Sequence, residues 1–262
     1  MRALIIGDVV GSVGLAALLA SLPSLRERMT PDLVVVNAEN AAGGAGTHAR
    51  QATELFAAGV DVLTGGNHTL RQTDYYAVLE SDPRALRPAN LRPRAPGRGL
   101  AVVDAAGGER VAVLNLLGSV FIDAGASPFT VVDELVERAR RSARHVIVDM
   151  HAEATSEKVA MGHHLDGRVT AVVGTHTHVQ TADARVLAGG TAFMTDLGMT
   201  GPHDSVIGVR KEVILRRFLT GAPARFDVAD GGVLVQGALV EAGPDGLARS
   251  ITAFSEPAAP SA

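Results

Sequence analysis

The sequence predicts an α/β fold, a layered α/β/β/α sandwich built as a single domain. Three observations carry that expectation. Short apolar runs alternate with longer amphipathic stretches, the signature of strands and helices in turn. Consecutive strand-like runs follow late in the chain, as stacked sheets require. The 262 residues contain no internal repeat and no low-complexity linker, and a chain of this length can bury about three quarters of its unfolded surface in one core.

Taken in order, Ala3-Leu4-Ile5-Ile6 reads as a buried strand ending in Gly7-Asp8. A helix is expected from Ser12 to about Met29, with Leu15, Leu18, Leu19, Leu22 and Leu25 at helical spacing. Leu33–Val36 is a second strand, ending in Asn37-Ala38-Glu39-Asn40; a Gly-rich turn (Gly43, Gly44, Gly46) and a short helix near 49–58 follow. Val60–Thr64 is a third strand, ending in Gly65-Gly66-Asn67-His68, and 72–80 reads as helix. Four prolines make 83–99 a loop. Leu100–Val103 and Val111–Leu116 form a strand pair about Gly107-Gly108. Residues 130–143 are expected as helix, Val146–Met150 as a strand ending in His151, and Thr155–Met161 as a short helix. Val169–Val173 is a strand ending in Gly174-Thr175-His176-Thr177-His178, and late strands are expected near 191–195, 212–217 and 233–240. The domain is expected to span 1–255, with 256–262 as a frayed Pro/Ala-rich tail.

Composition removes several classes of function. There is no cysteine, which excludes a disulfide scaffold, a thiolate metal site and a cysteine nucleophile. The net charge is −4 without a long basic run, and aromatics are 3% with no Trp; neither favours a stable nucleic-acid complex or a base-stacking platform. The most apolar stretch, Ala3–Leu22, is interrupted by Asp8 and glycines, so neither a membrane span nor a cleaved signal peptide is expected. The reading is a cytoplasmic protein, with homo-oligomers left open.

The chemistry collects at strand ends. Asp8, Glu39-Asn40, Asn67-His68, His151 and His176 with His178 each follow a predicted strand, and ligand sites in α/β sheets gather at the carboxyl ends of strands. One polar residue there is ordinarily a cap or turn former. Five such ends, each bearing a carboxylate, carboxamide or imidazole, point instead to a metal site. His176 and His178, two apart on an extended segment, leave the same face; alone they would read as surface loop histidines. The Gly7–Gly14 loop lacks both the G-x-G-x-x-G spacing and Gly-Lys-Ser/Thr, so it is not a phosphate cradle. No G-x-S-x-G elbow centred on Ser is present. Imidazole and oxygen donors without thiolate suit Mn, Fe or Zn. There are donors enough for two ions, and a carboxylate such as Glu39 can bridge such a pair. His203 lies in an unusual polar turn, Thr200–Ser205, whose Thr200, Gly201 and Ser205 are candidate substrate contacts.

These residues resemble the ordered blocks of the calcineurin-like metallophosphoesterases: Gly7-Asp8, Glu39-Asn40, Gly66-Asn67-His68, His151 and Gly174-Thr175-His176-Thr177-His178. The longer strings GDVVG, VVNAENAAGG, GGNHT, RPAN, HAEATSEK, GTHTHVQTAD and TDLGMTGP are similar to the bacterial 2',3'-cyclic-nucleotide 2'-phosphodiesterase branch, from residue 1 to about 215. Three positions depart from the wider superfamily: Val10 replaces a histidine, Glu39 an aspartate, and Thr69 an acid after His68. The resemblance implies two divalent or trivalent ions per chain, Fe or Mn first and Zn as the alternative. One would take Asp8, Glu39, Asn40 and His178; the other Glu39, Asn67, His151 and His176. It further implies that a hydroxide bridging the ions attacks a small phosphodiester, with 2',3'-cyclic nucleotides giving 3'-nucleotides, while His68 gives the leaving oxygen its proton. The alternatives are a phosphomonoesterase or nucleotidase on the same site, and a low-turnover regulatory protein.

Overall fold

Residue parity in the first strands sets the layering. The computed structural model describes residues 1–259. In β1 (Arg2–Ile6) the side chains of Ala3 and Ile5 enter one hydrophobic cluster and those of Leu4 and Ile6 another, because successive side chains of a strand leave opposite faces. Between them and the next strand lie β2 (Asp8–Val9) and α1 (Gly11–Met29). Leu15, Leu18, Leu22 and Leu25 of α1 pack on Leu4 and Ile6. The strand β3 (Leu33–Asn37) repeats the division, with Val34 and Val36 facing the helix and Leu33 and Val35 facing away.

The chain continues through α2 (Ala49–Ala57), β4 (Val62–Thr64) and α3 (Tyr76–Ser81). It then builds β5 (Leu100–Asp104), β6 (Arg110–Leu117), α4 (Val132–Arg140), β7 (His145–His151), α5 (Thr155–His164) and β8 (Ala171–Thr175). The last third holds β9 (Arg185–Val186), β10 (Ala192–Met194), β11 (Met199–Pro202), α6 (Lys211–Thr220), β12 (Val233–Ala242) and β13 (Ala248–Pro257).

Among the described residues the strands form two sheets. One has the order β2-β11-β12-β1-β3-β4, with β13 added on β12; the other has the order β5-β6-β7-β8-β10-β9. The middle cluster joins them, with Ile5, Val35 and Val62 of the first sheet packed against Val113, Ile147 and Val173 of the second. The outer face of the second sheet, Leu114, Val146 and Val148, is covered by Val132 and Val136 of α4 and by Met161 of α5. This is the expected α/β/β/α order. The runs β1-β3-β4 and β6-β7-β8 are parallel, so their carboxyl ends meet at one edge of the sandwich.

Two expectations change. Residues 212–217, expected as a strand, lie in α6. Their apolar run Val213-Ile214-Leu215 continues into Phe218-Leu219 among arginines, and only Ile214 is buried. The helix stops where Gly221 takes φ 68° and donates its N–H to Arg217 O at 2.8 Å, a left-handed stop that glycine takes without a Cβ clash. The expected fraying from Glu256 is also not what residues 256–259 do. β13 runs to Pro257, Ala258 N–H donates to Val233 O, and Ala259 N–H donates to Ser21 Oγ. The remainder of that tail, 260–262, lies outside the described residues.

Candidate metal centre

At the shared edge the apolar layer between the sheets turns polar. Asn37 Nδ2 donates to Asp149 Oδ2 at 3.0 Å, and Thr64 Oγ1 donates to the same oxygen at 2.5 Å. Asn115 exchanges two bonds of 3.0 Å with the backbone of Gly65. All these side chains are buried, as polar groups in such a layer must be when fully paired.

Just beyond this layer the predicted residues converge. His151 Nε2 lies 3.0 Å from Glu39 Oε1, 3.2 Å from Asn67 Oδ1 and 3.1 Å from His176 Nδ1. Asn40 Nδ2 faces both Glu39 Oε1 and His178 Nε2 at 3.2 Å. Asp8 is fully buried. Its Oδ2 accepts the His176 N–H at 3.0 Å, while its Oδ1, 3.9 Å from His178 Nε2, has no hydrogen-bond donor. One ligand atom from each of Glu39, His151 and His176 falls within a sphere that a single ion can span. Asn67 stands at the exposed rim, the others below it.

The outer partners settle which ring nitrogens face inward. Thr175 Oγ1 gives its only proton to Asp149 Oδ1 at 2.7 Å, so His151 Nδ1 must donate to Thr175, at 2.9 Å. His176 Nε2 sits 3.0 Å from the Glu153 carboxylate, and His178 Nδ1 sits 2.8 Å from Ile207 O; both acceptors can only receive a proton. In the neutral rings the remaining nitrogens are lone pairs: those of His151 and His176 face each other at 3.1 Å with Glu39 Oε1 3.0 Å from His151 Nε2, and that of His178 faces the Asn40 amide, 3.9 Å from Asp8 Oδ1. Lone pairs and anions crowded at hydrogen-bond distance repel unless a cation lies among them. The donor set therefore fits metal ions, in the manner of metal-bound histidines oriented by an outer acceptor.

The electrostatics agree. Burial alone would push the His151 imidazole down, but Glu39, Asp8 and Asp149 outweigh it and hold it up at about 9. Burial raises Asp8 to about 6. Glu39, although buried, is held down at about 2 by His151 and His68. His176 falls to about 3 through burial and its neighbour His151. The pocket thus stabilises positive charge at His151, where a proton or a metal ion can supply it.

His68 leans over the cluster. Its backbone N–H donates to Glu39 Oε2 at 3.0 Å and its Nδ1–H to Asn40 Oδ1 at 2.9 Å, which leaves Nε2 as its free ring nitrogen. Burial lowers its pKa. The Thr200 hydroxyl, in contrast, is buried against the β12 backbone at Gln236, Gly201 is buried in β11, and Ser205 Oγ closes its own turn onto Pro202 O. None of the three lines the cleft above the cluster; the neighbouring segment 206–209 does. His203 turns back on Met199 O. Glu153, Asp149, Thr175 and Asn37 were not singled out from the sequence. The one signal for them was a carboxylate, Asp149, inside the apolar run VIVDM.

The chain matches the YmdB-like proteins over residues 4–254. The chain belongs to that family. The family lies within the metallophosphoesterase superfamily. A Bacillus subtilis relative, 2',3'-cyclic-nucleotide 2'-phosphodiesterase, is 44% identical over 241 residues, 92% of this chain and 91% of the relative. The crystal structure of a hypothetical protein from Thermus thermophilus superposes with a TM-score of 0.92 at 42% identity, covering 99% of this chain and 100% of that one. That of a novel phosphatase from Mycoplasma pneumoniae gives 0.91 at 34% identity, covering 98% and 94%. Among the described residues no helix is long and apolar enough to cross a membrane.

Proposed function

We propose that this YmdB-like domain is a metal-dependent phosphodiesterase that opens small phosphodiesters, 2',3'-cyclic nucleotides first, to 3'-nucleotides. The observation that carries the reading is the meeting of the His151 and His176 ring nitrogens with the Glu39 carboxylate, beside a buried Asp8 oxygen that has no donor. The name of the Bacillus subtilis relative supports the substrate class. Two ions are assigned, Fe or Mn first and Zn as the alternative. Asp8, Glu39, Asn40 and His178 would hold one, and Glu39, Asn67, His151 and His176 the other. When bound, such ions neutralise phosphoryl oxygens and acidify water enough for it to serve as a nucleophile near neutral pH.

The chain's own groups supply the rest. Glu153, Thr175 and Ile207 keep the three ligand imidazoles in the tautomer that ligation needs. Asn40 fixes the His68 ring, so that Nε2 faces the phosphoryl group. Opening the cyclic ester breaks the P–O2' bond, and the His68 imidazolium donates its Nε2 proton to that oxygen. Burial depresses the His68 pKa, and an anionic phosphate beside it opposes that shift.

Replacing His68 by Ala should cut kcat about 10²- to 10⁴-fold while metal per chain, by elemental analysis, stays at the wild-type level. His151→Ala should lose the metal itself. Wild-type turnover in His68→Ala would remove it from the reaction. Rates on a phosphodiester and its matched monoester separate a diesterase from the phosphatase activity that the Mycoplasma pneumoniae relative's name describes.

A further inference from the structure

Aromatic residues are so scarce in this chain, seven Phe and two Tyr, that two exposed ones lining a single cleft are informative. Phe218, on α6, is 77% exposed, and Phe226, eight residues on, is 47% exposed. Both line the cleft that opens over His68, His176 and His178. Arg217 lays its guanidinium over the Phe226 ring, 4.9 Å from the centroid, a stacked pair that presents a flat surface. The cleft holds about 640 Å³, within the range of small-molecule sites, and a phosphoryl group at the donor cluster would fill only part of it. Much of the remaining lining is apolar, including Val10, Ile214 and Val228.

We propose that the part of the cleft lined by Arg217, Phe218 and Phe226 is a base-binding subsite, in which the planar heterocycle of a nucleotide stacks on Phe218 and on the Arg217–Phe226 pair while its phosphate lies over the donor cluster. It rests on the phosphodiesterase reading above and names what distinguishes one diester from another. Stacking is tolerant of base identity because every base has a π-face. Asn40 and Glu153, which share the cleft, are committed to His68 and His176. Discrimination among bases is therefore weak, and a base-free diester is the poor substrate.

The test uses full-length, metal-loaded enzyme and two cyclic diesters, adenosine 2',3'-cyclic phosphate and glycerol 1,2-cyclic phosphate. A stacked base contributes ~5- to 150-fold in affinity. Wild-type kcat/KM should favour the nucleotide by at least about fivefold. Phe218→Ala with Phe226→Ala should erase most of that preference, mainly through KM, and Phe226→Leu, which keeps apolar bulk without a ring face, should fall between. Leu219→Ala, 84% exposed and not part of the cleft lining, is the surface control and should keep the wild-type preference. Equal kcat/KM for the two diesters in wild type, or equal losses on both in the double variant, overturns the subsite. If wild type hydrolyses neither diester, the phosphodiesterase reading falls on its own. Calorimetric binding of adenosine 3'-phosphate against glycerol phosphate then decides the subsite: preference for the nucleotide, lost in the double variant, sustains it, and equal affinities overturn it.

Discussion

At the scale of single residues, Gly66 shows how little room the cluster leaves. A Cβ added there would lie 2.2 Å from the His151 ring and 2.3 Å from Glu39 Oε2. Gly66→Ala must push one of those side chains aside, and the expected outcome is a folded protein that binds metal at least ~10-fold more weakly, the order of loss seen when ligand orientation is disturbed. Unchanged metal stoichiometry and affinity would show that the ligands are less tightly placed than the distances indicate. His151 sets the pH dependence. Without metal its imidazole stays protonated up to about pH 9 because Glu39 and Asp8 stabilise the cation. An incoming ion must displace that proton. Metal affinity should therefore rise about tenfold per pH unit from pH 7 toward 9 and level off above it, with proton release visible as a buffer-dependent heat in calorimetry. A flat profile would mean that His151 is already neutral at pH 7.

Secondary-structure elements explain how the His176–His178 segment is held. It leaves β8 with positive φ at both histidines, 98° and 64°, a backbone state that costs non-glycine residues energy and persists only where the surroundings impose it. The restraint comes from Asp196, fully buried, which accepts the Thr177 N–H, the Thr177 hydroxyl and Lys158 Nζ at 3.1, 2.6 and 2.7 Å. Lys158 is itself 1% exposed. Lys158→Ala leaves that carboxylate buried without its counter-cation, at a cost of ~3–5 kcal/mol, read as a shift of the denaturation midpoint of metal-free protein. A loss under ~1 kcal/mol would mean that the donors left to Asp196, Thr177 and the Gly198 N–H, hold its carboxylate without Lys158. HAEATSEK contains Lys158 and TDLGMTGP contains Asp196, yet nothing in either string says that they meet. The elements misread from sequence failed for a related reason. α6 carries an apolar run that reads as a strand, and it is a helix whose exposed side chains border the cleft. β13 was not anticipated, because its mixed exposure depends on its pairing with β12.

For the whole molecule, the proposed ligands are drawn from both halves of the sandwich. Asp8 lies in β2 and Glu39, Asn40 and Asn67 follow β3 and β4 of the first sheet, while His151 ends β7 and His176 and His178 follow β8 of the second. Metal bound there ties the two sheets together at one edge, where Asn37–Asp149 and Asn115–Gly65 already bridge them. At metal concentrations about 100 times Kd the folded state gains about 2.7 kcal/mol per site. For a chain of this size that raises Tm by roughly 5–10 °C. Adding chelator should reverse the shift in wild type, and His151→Ala should show neither the rise nor the reversal. A metal-independent Tm in wild type would mean that the centre does not load.

The sequence by itself determined the layering and the location of the site. Strand periodicity, helix spacing and five polar strand ends are local properties, written in consecutive residues and legible without coordinates. Only the tertiary structure decided what those ends do together. It set the tautomer of each proposed ligand histidine through Thr175, Glu153 and Ile207, the pairing of Lys158 with Asp196, and the gathering of Phe218, Arg217 and Phe226 in the lining of one cleft. The physical reason is common to all three. Hydrogen-bond and stacking partners are chosen by distance in space, and in this fold those partners come from segments that are remote along the chain or from a helix whose placement the chain order does not reveal.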